Sequence, residues 1–138
     1  MATSNALCNK TGNSIRAKVA EEVLGKTALT MPTGCYLALY TADPGTTGEG
    51  GTECSGTNYA RIAVTWGSAS DAGVIANSAD IVFATAGGSW GTIAYGVLKQ
   101  EASGNGLPLL SFAFDTAKAV ANLDTVRVAA GDLSITFA

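Results

Sequence analysis

Histidine is missing from the chain altogether. Without imidazole there is no Ser-His-Asp or Cys-His dyad, no HExxH zinc site and no histidine-based pH switch. Any proton transfer would fall to carboxylates, Lys, Tyr or Cys. Charge is scarce too: charged residues make up 14% of the sequence, against about 25% in an average globular domain. Basic residues number 8 and acidic residues 11, leaving a net charge of −3. The cations are scattered and form no basic patch for phosphates, so direct nucleic-acid binding is not expected. No apolar run reaches the roughly 18 residues that cross a bilayer, so no membrane span is expected. The start, Met1-Ala2-Thr3-Ser4-Asn5, is polar and lacks the basic-then-apolar order of a signal peptide. Cys8 follows Leu7 in a lipobox-like way, but no hydrophobic region precedes it. The expectation is a soluble protein made in the cytoplasm.

Metal and phosphate motifs are also lacking. The three cysteines give no CxxC spacing, the dispersed aspartates give no DxDxDG, and Gly48-Glu49-Gly50-Gly51 lacks the GxxxxGK[ST] spacing of a phosphate loop. No metal and no cofactor are expected. What is present is apolar and small. Hydrophobic residues reach 47% of 138 residues, which excludes disorder and suits one domain with its own core. Gly, Ser, Thr, Asn and Ala make up much of the remainder, and such an uncharged surface suits a component that its neighbours cover.

The first segment reads as a helix. Ile15, Val19 and Val23 recur every fourth residue, with Leu24 beside the last, while Arg16, Lys18, Glu21 and Glu22 fill the other faces. Asn13 or Ser14 can cap its start, and Gly25 stands where a C′ glycine would end it, with Lys26 suited to the dipole. An earlier helical turn is expected from Ser4 to Lys10, with Gly12 as a weak point, and a turn at Pro32-Thr33-Gly34. From there the pattern becomes one of short strands. Cys35 to Tyr40 is an apolar strand closed by the turn at Asp43-Pro44-Gly45. Gly45 to Asn58 reads as a long, exposed, mobile loop. Strands follow at Tyr59–Trp66, Val74–Ala76, Ile81–Phe83, Trp90–Leu98 and Leu109–Phe114, the last two joined by a loop carrying Asn105-Gly106. Lys118–Ala121 is a short strand or extended piece. Leu133, Ile135 and Phe137 alternate with Ser134 and Thr136 as a half-buried strand. The expected fold is mainly β, a single-domain β-sandwich or jelly roll with an N-terminal helix. Residues 1–33 form an arm and helix, and residues 34–138 form the sandwich.

Candidate reactive groups are few. Asp71, Asp80, Asp115, Asp124 and Asp132 lie beside turns or strand ends. Two could meet as a glycosidase-like pair, but an aspartate in a turn usually bonds its own backbone, and that reading is favoured. Trp66 and Trp90 read as core or interface aromatics rather than ligand platforms. An odd cysteine count leaves at least one thiol free or paired between chains. Cys35 opens an apolar strand and is expected as a buried small hydrophobe or a strand-edge residue. Cys54, in the glycine loop, and Cys8, in the arm, are expected to be exposed. Cys8 and Cys54, with Cys35 as the third candidate, could therefore form disulfides between subunits once an assembly leaves the reducing cytoplasm. Inert free thiols are the alternative.

Several segments, taken in order, resemble a family of small tailed-phage virion proteins. They are Leu37-Ala38-Leu39-Tyr40-Thr41-Ala42-Asp43-Pro44, then a Gly/Glu loop, then Gly56-Thr57-Asn58-Tyr59-Ala60-Arg61. Downstream Asn77, Ile81, Phe83, Ala86, Trp90, Gly91 and Ile93 also fit, as do Leu24-Gly25-Lys26-Thr27-Ala28 and Gly131 to Phe137. The resemblance covers nearly the whole chain. Cys35 and Cys54 depart from it, standing where ordinary hydrophobic residues are expected, and Lys99-Gln100-Glu101 replaces a short acidic turn. The resemblance implies a non-enzymatic structural protein made in the host bacterial cytoplasm. Its expected form is a homotrimeric decoration or cement protein on the capsid surface, partnered by itself and the major capsid protein. A tail-fibre or baseplate component is the alternative, and a small carbohydrate-binding or hydrolytic domain a second one. The N-terminal arm (residues 1–12) and the Gly45–Asn58 loop are candidates for reaching a neighbouring subunit.

Overall fold

The computed structural model describes residues 2–4, 7–8, 15–26, 28 and 34–137. The expected caps Asn13 and Ser14, most of the Ser4–Lys10 turn, and Pro32-Thr33 lie outside the described residues. The elements in chain order are β1 (Ala2–Ser4), α1 (Ile15–Val23), β2 (Tyr36–Ala42), β3 (Thr52–Glu53), β4 (Ile62–Ala63), β5 (Val74–Ala76), β6 (Ile81–Val82), β7 (Gly91–Lys99), β8 (Pro108–Val120), β9 (Arg127–Val128) and β10 (Leu133–Thr136). The protein is mainly β with one short helix, as its strand-sized apolar runs and Gly-rich turns require.

A five-stranded antiparallel sheet runs β3-β2-β7-β8, with β4 also on β2. The alternation along β2 gives that sheet two buried faces. Leu37 and Leu39 point into the main core with Leu98 and Phe112, while Ala38 and Tyr40 point the other way with Val97. The main core is closed by Leu133 and Ile135 of β10, by Ile81 of β6 and by Phe83, from the β1-β10-β5 sheet and the β6-β9 pair. Gly96 lies where the Phe112 ring crosses β7. A Cβ there would come 2.7 Å from the ring, so this strand position takes only glycine.

Four differences from the sequence reading matter. Ser4 is in a strand rather than a helical turn, because Ala2 to Ser4 pair in parallel with Leu133 to Ile135. An open strand edge offers a row of main-chain partners, which outweighs weak local helix propensity. The arm is thus bound to its own chain, and Cys8 continues this with an N–H donated to the Leu109 carbonyl at 2.8 Å. Second, the glycine-rich stretch folds across the second face of the sheet. Pro44 is fully buried, the Ser111 hydroxyl donates to the Gly45 carbonyl at 2.9 Å, and the stretch contains β3. Third, Lys118–Val120 belongs to β8. The register jumps from Tyr95↔Ala113 to Ile93↔Lys118, so residues 114–117 bulge opposite Ala94. A bulge on an outer strand blunts it against uncontrolled pairing. Fourth, Tyr59–Trp66 yields only β4, with Trp66 forming an isolated bridge to Asn77, and Phe137 stays exposed beyond β10.

Asn77 ties β5 to β10. Its Oδ1 accepts the Leu133 N–H at 2.9 Å, and its Nδ2 donates to the carbonyls of Ala79 at 2.8 Å and Ala129 at 2.9 Å. The residue is buried. Asn77→Ala leaves the Leu133 N–H and two carbonyls without these partners inside the protein. We expect a loss of about 2 kcal/mol, read as a lowered urea midpoint with an unchanged slope.

Candidate functional site

The residues with most chemistry gather at one end of the five-stranded sheet. Glu53 comes from β3, Arg61 from the segment leading into β4, Lys99 from the end of β7, and Tyr59 from the turn between β3 and β4. Arg61 grips Glu53 with both arms of its fork: Nε to Oε1 at 2.7 Å and Nη2 to Oε2 at 2.8 Å. Its remaining donors reach the carbonyls of Glu101 at 3.1 Å and Gly104 at 2.8 Å, which holds the β7–β8 hairpin loop. The Tyr59 hydroxyl donates to Glu53 at 3.0 Å and accepts the Leu39 N–H at 3.0 Å. Lys99 Nζ stands 3.7 Å from Glu53 Oε2 and 5.4 Å from the centre of the Tyr40 ring. The side chains of Arg61 and Lys99 are only 7% and 10% exposed, against 23% for Glu53.

These contacts set the ionisation of the cluster. Burial alone would raise the Glu53 carboxyl. The Arg61 hydrogen bonds and charge, the Tyr59 hydroxyl and Lys99 outweigh that and hold it below the usual range. Burial, and then the Arg61 charge, lower Lys99, while the Glu53 bonds raise Arg61. Burial, aided by the Glu53 charge, pushes the Tyr40 hydroxyl up to about 12. A carboxylate held ionised with both oxygens engaged is a poor general base. The cluster ties strands and a hairpin together; it does not present a reactive group. A polar cleft of about 360 Å³ lies beside it, lined by Tyr40, Glu49, Lys99 and Asn105 among others.

The expected site residues scatter. Asp124 accepts the Ala121 N–H at 2.9 Å within its own turn, whereas Asp80 pairs with Arg127 and accepts the Ala130 N–H at 2.9 Å, tying its segment to the one around β9. Asp115 and Asp132 line one cleft, but both are exposed, so neither has the buried setting that a proton-donating carboxyl of a glycosidase pair needs. Trp90 is buried against Tyr59 and Phe83, and Trp66 is half-buried beside the Cys35 thiol. Among the described residues no group of three or more Cys, Asp or Glu could hold a metal, and no helix is long and apolar enough to cross a membrane. The sequence gives no expectation for Glu53, and Arg61 and Lys99 figure only in the resemblance and not as site residues. The available signal was Lys99, a cation closing the apolar run Tyr95 to Leu98.

The cysteines need correcting. None of the three is in a disulfide within the chain, and Cys8 and Cys54 are 1% and 5% exposed rather than the surface thiols expected. Cys8 is covered because Gly48 folds back onto it: a Cβ on that glycine would sit 2.7 Å from Cys8 Sγ. Cys54 donates its thiol to the Trp90 carbonyl at 3.6 Å. Burial pushes Cys35 and Cys54 up to about 11 and raises Cys8 as well. Thiols so covered cannot meet a second chain without local opening, and few are thiolates at neutral pH. In the native protein at pH 8, Cys8 and Cys54 should therefore resist a colorimetric disulfide reagent, with half-buried Cys35 reacting slowly. All three should react at once in denaturant. Fast native labelling of Cys8 or Cys54 would overturn this.

A second cleft, of about 240 Å³, opens between the β8 bulge and β9. Its floor is apolar, with Leu37, Ile93, Val120 and Leu133, and its rim carries Lys118 and Asp132. No curated protein matches the chain. A family model described as podophage GP4 fiber I protein gp80 matches residues 10–136. The sandwich and the tied hairpin lie within that match, and the chain belongs to this family of phage virion structural proteins.

Proposed function

We propose that the chain is a non-catalytic building block of the virion exterior, assembled as a homotrimer, and that its place is in a fibre. The match to a fibre family over residues 10–136 carries this reading. It is supported by what the side chains do. Glu53 is saturated by Arg61 and Tyr59, Asp80 is held by Arg127 and the Ala130 N–H, Asp124 serves its own turn, and two of the thiols are buried. What remains for the surface is shape and contact. Each contact in a ring of identical subunits can be weak, since several act together.

Decoration of the capsid surface, with the major capsid protein as partner, is the second reading. It is favoured by the globular sandwich, in which the described residues contain no long shaft-like segment. Antibody labelling of purified particles, with subunit copy number from quantitative gels, tests both. Label confined to the tail at a few copies per particle supports the fibre. Label over the head at a copy number near that of the capsid protein overturns it in favour of decoration. Particles without label would overturn both.

A further inference from the structure

We propose that Asn105-Gly106, in the loop of the β7–β8 hairpin, is a self-modification site, at which Asn105 converts to aspartate and isoaspartate and turns a charge-balanced cleft acidic. This holds wherever the subunit sits in the particle.

The pair is the only Asn-Gly in the chain. In a two-residue hairpin such a pair fills the turn, where both residues need positive φ. Here it does not. Gly104 takes a φ of 75°, and neither Asn105 nor Gly106 is in that region. The loop is closed on either side of the pair instead. Gln100 N–H donates to the Leu107 carbonyl at 3.0 Å, and Arg61 holds the carbonyls of Glu101 and Gly104. Between the anchors at Gly104 and Leu107, Asn105 and Gly106 make no hydrogen bond among the described residues. The Asn105 side chain is exposed and free to swing onto the next main-chain nitrogen. Glycine at 106 is fixed by packing: a Cβ there would come 2.7 Å from Glu101 Cβ and 3.1 Å from Glu101 N. The nitrogen is thus left without the neighbouring Cβ that would crowd an attack. The other asparagines among the described residues are better protected. Asn77 is buried in three hydrogen bonds, Asn58 donates to the Thr85 carbonyl at 3.1 Å, and Asn122 precedes bulky Leu123.

Asparagine is a thermolabile residue, and the step needs only water. The Gly106 main-chain nitrogen gives up its proton and attacks Asn105 Cγ. The new N–Cγ bond closes a five-membered imide, the Cγ–Nδ2 bond breaks, and Nδ2 leaves as ammonia with that proton. Water then adds to one of the two imide carbonyls. Opening at Cγ gives aspartate. Opening at the main-chain carbonyl gives isoaspartate, with the chain running through the former side chain. No electrons are exchanged, and the loss of ammonia to solvent keeps the change from reversing. The consequence is electrostatic. The polar cleft beside the loop is lined by Glu49 and Glu53 against Arg61 and Lys99, two charges of each sign, and Asn105 lines it with them. Conversion leaves that balance one charge negative and adds the same charge to the net −3 of the chain.

Incubation of the purified, folded full chain for days at pH 8 tests the site. Ion exchange should show a more acidic species growing with time, and more slowly at pH 6, where less of the nitrogen is deprotonated. Tandem mass spectrometry should place the change at residue 105, and an isoaspartate methyltransferase should label the product. Its rate should match that of a synthetic peptide of residues 102–109, since the fold leaves the pair free. Asn105→Gln keeps the amide but is too long to close the five-membered ring. It should lose the acidic species and the methyltransferase label, and at this exposed position keep the wild-type thermal midpoint. Asn105→Asp should elute with the aspartate product from the start. A native rate far below that of the peptide, earlier conversion at another asparagine, or an acidic species that persists in Asn105→Gln overturns the proposal.

Discussion

Glu53→Ala should destabilise the protein by about 3 kcal/mol, among the largest losses for any single substitution outside the aromatic core. The reason is what stays behind. Arg61 and Lys99 keep their charges in a region where their side chains are 7% and 10% exposed, with the Glu49 charge also acting on Lys99. Removing one partner of a buried ion pair costs far more than the pair contributes net, because the stranded charge is no longer compensated. The Tyr59 hydroxyl loses its acceptor at the same stroke. The pH dependence follows in sign. The folded Glu53 carboxyl lies below its ordinary value, so its stabilisation is complete above the unfolded value near ~4 and is lost as pH falls through the folded one. Urea midpoints measured from neutral pH to below pH ~4 should converge for wild type and Glu53→Ala. Parallel curves across that range would contradict the assignment.

Trp90→Ala should cost about 4 kcal/mol. The indole is buried where three parts of the chain meet. Its edge meets Tyr59 at 5.4 Å and Phe83 at 6.4 Å between ring centres, and Nε1 donates to the Thr57 carbonyl at 3.1 Å. Gly56 lies close against the indole, where a Cβ would come 2.4 Å from Cδ1. Alanine thus opens a cavity whose walls are held in place by main-chain bonds and cannot collapse to fill it. Trp90→Phe separates the causes: it keeps most of the volume but strands the Thr57 carbonyl, and should cost about 1 to 2 kcal/mol. Equal losses from both substitutions, in chemical unfolding followed by circular dichroism, would mean that the hydrogen bond rather than the volume dominates.

Much of the framework was legible in the residues. The apolar run into Asp43-Pro44-Gly45, the hairpin around Asn105-Gly106, the alternation from Leu133 to Ile135 and the helix end at Gly25 were read from patterns that local geometry enforces. The glycine-rich stretch was misread because glycine has two uses. It suits mobile loops, but it also lets a chain lie close against a neighbour, as Gly48 does over Cys8 and Pro108. That one misreading also carried the expectation that Cys54 was exposed, while Cys8 was expected outside because it lies in the arm. The charge cluster was out of reach for a different reason. Glu53 and Arg61 are close in sequence, but Lys99 joins them only because β2 pairs with β3, β4 and β7 at once. Periodicity along one strand carries no information about which strands will be neighbours.

The placement of β10 also bears on how the chain is made. β1 and β5 are the first and middle strands of their sheet in order of synthesis, yet both pair only with β10. On a ribosome, β10 is the last strand of the domain to emerge. Until then β1 and β5 wait with open edges, and contacts so distant along the chain form slowly. The β2–β7–β8 sheet can assemble while synthesis continues, but the layer that closes the core cannot. Closure of the core is thereby coupled to the emergence of β10.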